Sequence, residues 1–251
     1  MVPLTTPCPQ KANAAAPLPE GEAKTAYVRK MFDRIAPRYD LVNRTITFGL
    51  DRGWRARAAR SLDLAPGATV LDLASGTGDF LRELDSLGHR SVGVDLSFGM
   101  LTAAHGTSAP LIEADGATLP IADGRFDGIV CGFAVRNFTD LRAVLSECVR
   151  ILRPAGRIAI LEVDTPRSPV VRIGHNVWFR KVVPRIGAML SDPDAYRYLP
   201  ESVAYLPPEA EFATMLEHAG FTRVARHPLA GGVAQLVTAT RTGAYGVARG
   251  G

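Results

Sequence analysis

The sequence predicts an α/β fold in which a mostly parallel sheet carries helices on both faces. Residues 70–80, VLDLASGTGDF, are typical of a buried strand, a tight glycine turn and the start of a helix. Strands and helices then alternate up to residue 162 with short connections, as parallel strands require. The second and third strands end in Asp95 and Asp115, at the sheet edge where such folds bind ligands.

Runs of apolar and β-branched residues mark the strands. They are predicted at 69–74, 91–95, 111–115, 126–131, 157–162, 221–227 and 233–240. Helices are predicted near 79–87 and 97–105, and Asp140 caps another with one apolar face. A last helix opens at Pro207 and ends at Gly220, before a closing hairpin.

The sequence indicates one domain, residues 23–241, between a disordered tail at 1–22 and a flexible one at 242–251. Within it, residues 23–62 form a helical cap and residues 163–206 a helical insertion over the site. In the cap, one helix ends at Pro37 and a second runs through Trp54 to Ser61. The arginines of that second helix, at 52, 55, 57 and 60, are expected to form a basic outer face.

Composition points to an ordinary globular protein that works in the cytoplasm. The chain has 251 residues, of which 47% are hydrophobic, and no apolar run approaches the roughly 18 residues of a membrane span. The N-terminus does not have the pattern of a signal peptide. Three scattered cysteines and five dispersed histidines argue against disulfides and a metal site.

Charge is segregated along the chain. Residues 23–61 and 166–190 are strongly basic, whereas residues 71–127 are acidic, within an overall charge of +4. The basic flanks are either solvated helix faces or a surface for anionic lipid or an anionic substrate.

The glycine turn favours S-adenosylmethionine (AdoMet) over a dinucleotide. Gly76 and Gly78 lack the third glycine of the dinucleotide fingerprint, because Leu81 stands there. Asp72 and Asp79 flank the turn and would repel a pyrophosphate, whereas AdoMet has a sulfonium and no phosphate.

Each part of AdoMet has a candidate partner. Asp95 is predicted to accept both ribose hydroxyls, although capping the next helix through Ser97 is an alternative. Asp115 and Gly116 are expected at the adenine, and Asp72 at the ammonium group. The turn supplies Gly76, Gly78 and Thr77 to the methionyl part.

The end of the fourth strand faces the transferred methyl group. Residues 132–140, GFAVRNFTD, lack the Asn/Asp-Pro-Pro-aromatic turn that accepts amines and bases, which argues against nucleic acid as a substrate. Arg136 and Asn137 suit an acceptor that has oxygens and a negative charge.

Four separated motifs resemble the ubiquinone/menaquinone biosynthesis C-methyltransferases. They are residues 39–43 with Trp54, residues 133–140, residues 150–157 and residues 196–202. The resemblance covers about Lys24 to Arg241. It implies the class I AdoMet-dependent methyltransferase fold, Rossmann-like, with seven strands and an antiparallel last strand. It also implies methylation of a ring carbon of a polyprenylated quinol, most simply demethylmenaquinol to menaquinol, and a backbone contact to the cofactor at Gly132.

The chemistry requires a deprotonated ring hydroxyl, because a neutral quinol carbon is a poor nucleophile. Arg136 is predicted to stabilise the quinolate, with Asn137 and Tyr39 shaping the pocket and Asp164 as a candidate general base. The helix expected at 169–183 and the basic cap could hold the enzyme peripherally at the inner face of the cell membrane. A homodimer is compatible with the sequence.

Three other functions stay open at this stage. A nicotinamide oxidoreductase is disfavoured by the missing third glycine and by Asp79. An AdoMet-binding regulator without activity and a methyltransferase acting on another small aromatic or secondary metabolite remain alternatives.

Overall fold

The computed structural model describes residues 20–190, 192, 195, 198 and 201–243. The predicted tails therefore lie mostly outside the described residues. The first helix already begins at Gly21, inside the segment predicted as tail.

Seven strands form one sheet. They are β1 Thr69–Leu73, β2 Arg90–Asp95, β3 Leu111–Glu113, β4 Phe126–Gly132, β5 Leu152–Val163, β6 Phe221–Leu229 and β7 Ala234–Arg241. Their order is β3-β2-β1-β4-β5-β7-β6, and β7 is antiparallel to both of its neighbours while β1 to β5 pair in parallel. The predicted fold class is thus confirmed, with β5 starting five residues earlier than expected.

Four helices pack against the sheet: α4 Asp79–Ser86, α5 Phe98–Ala103, α6 Leu141–Ile151 and α9 Glu209–Ala219. The predicted caps are present. The Asp140 carboxylate accepts a hydrogen bond from the Ala143 N–H at 2.9 Å, and Gly220 ends α9 with φ +111°. One apolar cluster lies beneath α6 and α9, and a second joins the sheet to α4 and to the helix Leu50–Ser61.

The N-terminal cap contains α1 Gly21–Ile35, α2 Tyr39–Ile46 and α3 Leu50–Ser61. The structure corrects two predictions here. Residues 39–46 form a helix of their own, which Gly49 separates from α3 by adopting φ +73°. Arg55 does not belong to the basic outer face, because it is buried and pairs with buried Asp51 at 2.6 Å.

The cap has its own apolar core, which lies over the carboxyl ends of the parallel strands. Val28, Met31 and Ile35 from α1 meet Val42 from α2 and Met100 from α5. These positions of α1 are the ones that the helical spacing predicts as buried.

The segment predicted as an insertion contains α7 Pro169–Val177, a π-helical stretch Trp178–Val182, α8 Val183–Leu190 and a short 3₁₀ turn Val203–Tyr205. Trp178 joins it to the cap, because its indole N–H donates to the Ile46 carbonyl at 3.1 Å and its ring packs on Phe48. Among the described helices, none combines the length and apolarity needed to cross a bilayer.

Candidate functional site

Two cavities lie at the carboxyl ends of the parallel strands. The first is walled by the ends of β1 to β4 and by α1. The second, which is larger, lies between the cap, the end of β4 and the insertion. Four residues line both cavities and form a shared wall: Phe32, Tyr39, Phe133 and Asn137.

The first cavity brings together most of the residues that the sequence assigned to a nucleoside ligand. Its wall includes Gly76, Asp95, Asp115, Gly116 and Gly132. These residues follow β1, β2, β3 and β4, which are adjacent in the sheet, so residues distant in the chain converge at one edge.

Asp95 fixes the glycine turn to the end of β2. One carboxylate oxygen accepts from the Gly76 N–H and the other from the Ser97 N–H, both at 2.8 Å. Burial of the carboxylate raises the pKa of Asp95 to about 6. The Ser97 hydroxyl in turn caps α5 by accepting from the Met100 N–H, so the capping contact through Ser97, the alternative role of Asp95, is present in the structure.

Gly76 and Gly132 differ in the space around the position that a side chain would occupy. Gly76 has φ +54°, and a Cβ there would meet nothing within 4 Å, so the turn leaves room beside its backbone. At Gly132 a Cβ would lie 2.7 Å from the Phe80 ring, so glycine is required by packing below the wall.

Three residues assigned to the ligand from the sequence are not among those that line the first cavity. The Thr77 hydroxyl donates to Asp40 at 2.5 Å, and Gly78 begins α4 with φ +86°. Asp72 is only 1% exposed, and neither carboxylate oxygen has a hydrogen-bond partner among the residues that the structure describes. Burial therefore raises the pKa of Asp72 well above its ordinary value.

Asp79 does not present a free negative charge to a ligand, contrary to the expectation that it would repel a pyrophosphate. It forms ion pairs with Arg82, Arg44 and Arg55. These arginines lower the pKa of Asp79 despite its burial. The discrimination against phosphate must therefore depend on other groups.

The second cavity is mainly apolar, and several aromatic residues line it, among them Trp54, Trp178 and Phe179. Arg136 reaches its wall from the end of β4 and pairs with Glu162 of β5. Both partners are almost fully buried, at 5% and 2% exposure, and the Arg136 Nε has no hydrogen-bond partner. A cationic group with one N–H unsatisfied therefore lies at an apolar pocket.

Asp164 does not lie where a base for this pocket would be needed. It follows β5, forms an ion pair with Arg226, and lines a separate shallow groove with Arg167 and Ser168. Neither of the two large cavities includes it. The structure thus corrects its assignment as a candidate base.

His175, which was not predicted from the sequence, lines the second cavity from α7. The available signal was an imidazole on a helix whose other residues, apart from Arg172 and Asn176, are proline, glycine, valine and isoleucine. No group of three or more His, Cys, Asp or Glu side chains suited to a metal ion occurs in the described part of the chain.

A family model, the ubiE/COQ5 methyltransferase family, matches residues 20–241. The ubiquinone/menaquinone biosynthesis C-methyltransferase UbiE of Syntrophotalea carbinolica is 41% identical over 222 residues, covering 85% of this chain and 94% of that protein. A demethylmenaquinone methyltransferase of Corynebacterium kroppenstedtii is 38% identical, with coverage of 88% and 96%.

Solved structures show the same fold at low sequence identity. Phosphoethanolamine N-methyltransferase 2 of Haemonchus contortus, in complex with S-adenosyl-L-methionine, superposes with a TM-score of 0.63 at 13% identity, covering 86% of this chain and 60% of that one. A SAM-dependent methyltransferase of Thermotoga maritima gives 0.59 at 18% identity, with coverage of 85% and 99%. The converging strand ends, the two cavities and the match over residues 20–241 lead to one conclusion: the chain belongs to the ubiE/COQ5 methyltransferase family.

Proposed function

We propose that this protein binds AdoMet in the first cavity and methylates a ring carbon of a polyprenylated quinol in the second, most simply converting demethylmenaquinol to menaquinol. The observation that carries the proposal is the shared wall. Two cavities, one with carboxylates and glycines at the strand ends and one mainly apolar, both have Phe32, Tyr39, Phe133 and Asn137 in their walls. A methyl donor and its acceptor need such adjacent sites.

The first cavity fits AdoMet by the chemistry of its residues. Asp95 is positioned to accept the ribose hydroxyls, while Asp115 and Gly116 flank the adenine and Gly76 leaves space for the methionyl part. The unpartnered Asp72 carboxylate supplies a negative potential beneath the turn, which favours an ammonium group either directly or through water. AdoMet supplies an electrophilic methyl group on its sulfonium, and the residues of the protein bind and orient both ligands.

The second cavity fits a large apolar acceptor with ring oxygens. Arg136 stabilises the negative charge of a deprotonated ring hydroxyl, and its buried pairing with Glu162 holds the guanidinium in place. Asn137 and Tyr39 orient the ring, because both belong to the shared wall. The apolar remainder accommodates the start of the prenyl chain.

The relatives support this substrate class. Their names specify ubiquinone/menaquinone biosynthesis and demethylmenaquinone, and the chain covers more than nine-tenths of their length. The family match and the apolar second cavity favour a quinol over a small polar aromatic.

A surface beside the second cavity suits a membrane that contains the quinol. We call it the apolar rim: the exposed residues Phe48, Leu50, Val170, Ile173 and Val177. Arg52 and Arg172 are exposed on the same helices, so the rim combines apolar contact with attraction to anionic lipid. Sedimentation with anionic vesicles should show binding that weakens with salt and in Phe48→Ser/Ile173→Ser. Equal sedimentation of this variant and the wild type would contradict the role of the rim.

The function is tested by incubating the protein with labelled AdoMet and a panel of reduced quinones, followed by mass analysis. Methylation of prenylated naphthoquinols is expected, and Arg136→Ala should lose most turnover while binding AdoMet normally. Unchanged turnover in Arg136→Ala would contradict its role. A product formed only from another aromatic would redirect the substrate assignment, and binding of NADH instead of AdoMet would overturn it.

A further inference from the structure

We propose that His175 is the base that takes the proton of the quinol ring hydroxyl. The inference rests on the proposed function, since it assigns a residue to the same substrate. The hydroxyl O–H bond breaks, the proton moves to an imidazole nitrogen, and the electron pair stays on the oxygen. A ring carbon then bonds to the methyl group of AdoMet as the bond between that methyl group and the sulfonium sulfur breaks, and its electron pair stays on the sulfur, which leaves as a neutral thioether. When the ring regains aromaticity, the imidazolium returns its proton to the oxygen and the carbon-bound hydrogen leaves as the one proton released per methyl transferred.

Position is the first argument. His175 lines the second cavity from α7, whereas Arg136 and Asn137 reach the same cavity from the end of β4. A ring in this cavity therefore lies among a potential base, a cation and an amide. Asp164, the other candidate, is held by Arg226 outside the cavity.

The imidazole of His175 has no hydrogen-bond partner among the described residues. Both ring nitrogens of His175 are shielded from solvent, yet neither makes a hydrogen bond with any residue that the structure describes. Phe179 stacks on the ring at 4.8 Å between centroids, which restrains the ring plane without satisfying its nitrogens. An unsatisfied buried polar group destabilises the folded protein. Because both nitrogens are closed off from solvent, the ring must turn toward the cavity before a hydroxyl group there can become the missing partner.

The surroundings of His175 favour its neutral form. Burial lowers the pKa of His175 below its ordinary 6.5, so the ring is neutral and able to accept a proton at pH 7 and above. The negative charge of Asp164 acts in the opposite direction and stabilises the imidazolium once it forms. The other ionisable groups that line the cavity are Tyr39, Tyr198 and the paired Arg136.

The kinetic test compares three variants. His175→Gln keeps hydrogen bonding but cannot accept a proton, His175→Ala leaves space for added imidazole, and Lys181→Ala changes an exposed side chain of the same insertion that does not line the cavity. Loss of a base lowers kcat by about 100-fold or more. The wild type and Lys181→Ala should show kcat/KM falling below pH 6.5, His175→Gln should lack this limb, and imidazole should restore turnover to His175→Ala alone.

A binding measurement separates this proposal from the proposed function. In protein labelled with ¹⁵N-histidine, 1-naphthol, a stable ring hydroxyl, should shift one imidazole signal that is missing in His175→Gln. If the shift occurs and no quinol is methylated, the hydroxyl contact stands and the proposed function fails. If quinols are methylated and His175→Gln keeps the wild-type rate and acidic limb, or if bound naphthol leaves the signal unmoved, His175 is not the base.

Discussion

The Tyr198 hydroxyl donates a hydrogen bond to Oδ1 of Asn137 at 3.2 Å. This contact fixes the orientation of the Asn137 side-chain amide, because it places the amide oxygen toward Tyr198. With Oδ1 accepting from Tyr198, the Asn137 amino group is left as a donor, and among the described residues it makes only a long contact to the Phe133 carbonyl, at 3.5 Å. Since Asn137 lies on the shared wall, Tyr198 orients an N–H donor toward the junction of the two cavities.

Tyr198→Phe should therefore impair the methyl transfer more than binding. Loss of one neutral hydrogen bond corresponds to about 1 kcal/mol, or roughly a fivefold fall in kcat, with KM and thermal stability nearly unchanged. Steady-state kinetics of the quinol reaction measures this. Tyr205→Phe is the matched control, because the ring contact of Tyr205 with Lys24 survives the change. Equal effects of both substitutions would contradict the orienting role.

Asp72→Asn should stabilise the ligand-free protein while weakening its affinity for AdoMet. The folded-state pKa of Asp72 lies above its ordinary 3.8, so the folded state binds the proton more tightly than the unfolded state does. The wild type consequently loses stability as the pH rises from 3.8 through the folded pKa, and asparagine removes that loss.

The stability advantage of Asp72→Asn is thus expected to grow with pH and to reach about 1–3 kcal/mol near neutrality. Urea unfolding between pH 5 and 8, without ligand, measures it, and calorimetric titration with AdoMet measures the lost affinity. An advantage that does not change with pH would mean that Asp72 is not a buried charged group at neutral pH.

The two glycines of the first cavity should respond differently to alanine. Gly76→Ala directs a methyl group into open space beside the turn, at φ +54°, and should abolish most of the rise in melting temperature on adding AdoMet. Gly132→Ala places its methyl group 2.7 Å from Phe80 and should lower the melting temperature of the free protein instead. Thermal unfolding with and without AdoMet distinguishes them. A full ligand response in Gly76→Ala would contradict the assigned binding site.

Asp33→Ala should speed the release of AdoMet. Asp33 of α1 accepts from the Ser97 hydroxyl at 2.6 Å and from the Gly99 N–H at 2.9 Å, and so ties the helix over the first cavity to α5. Removing both bonds should raise the dissociation rate several-fold, which corresponds to about 1–2 kcal/mol. Stopped-flow displacement measures it, with exposed Lys30→Ala on the same helix as control. An unchanged rate would show that α1 does not limit exit.

The strands could be predicted because each is a short run of apolar residues bounded by a turn, and parallel connectivity follows from the alternation with helices. The ends of β2 and β3 could be assigned to a ligand for the same reason: Asp95 and Asp115 are acids immediately after buried strands. These features depend on local sequence and on one topological rule.

Other features depend on contacts between distant segments, which the local pattern does not contain. Arg55 was expected outside because helical spacing, which places it one turn from Asp51, does not reveal that it also pairs with Asp79 of α4. Asp164 follows a strand, as Asp95 does, yet it meets Arg226 of β6, an element near the end of the chain. The unpartnered nitrogens of His175 become apparent only when the insertion is packed against the second cavity.

The shared wall implies that binding at one ligand site changes the affinity of the other site. Phe32, Tyr39, Phe133 and Asn137 cannot adjust to one ligand without changing the surface offered to the other. Any tightening of AdoMet binding by the quinol must be matched by an equal tightening of quinol binding by AdoMet, because the coupling free energy belongs to the pair. Selectivity for the acceptor is consequently a property of the ternary complex, and screens of quinones against the protein without its methyl donor would underestimate it.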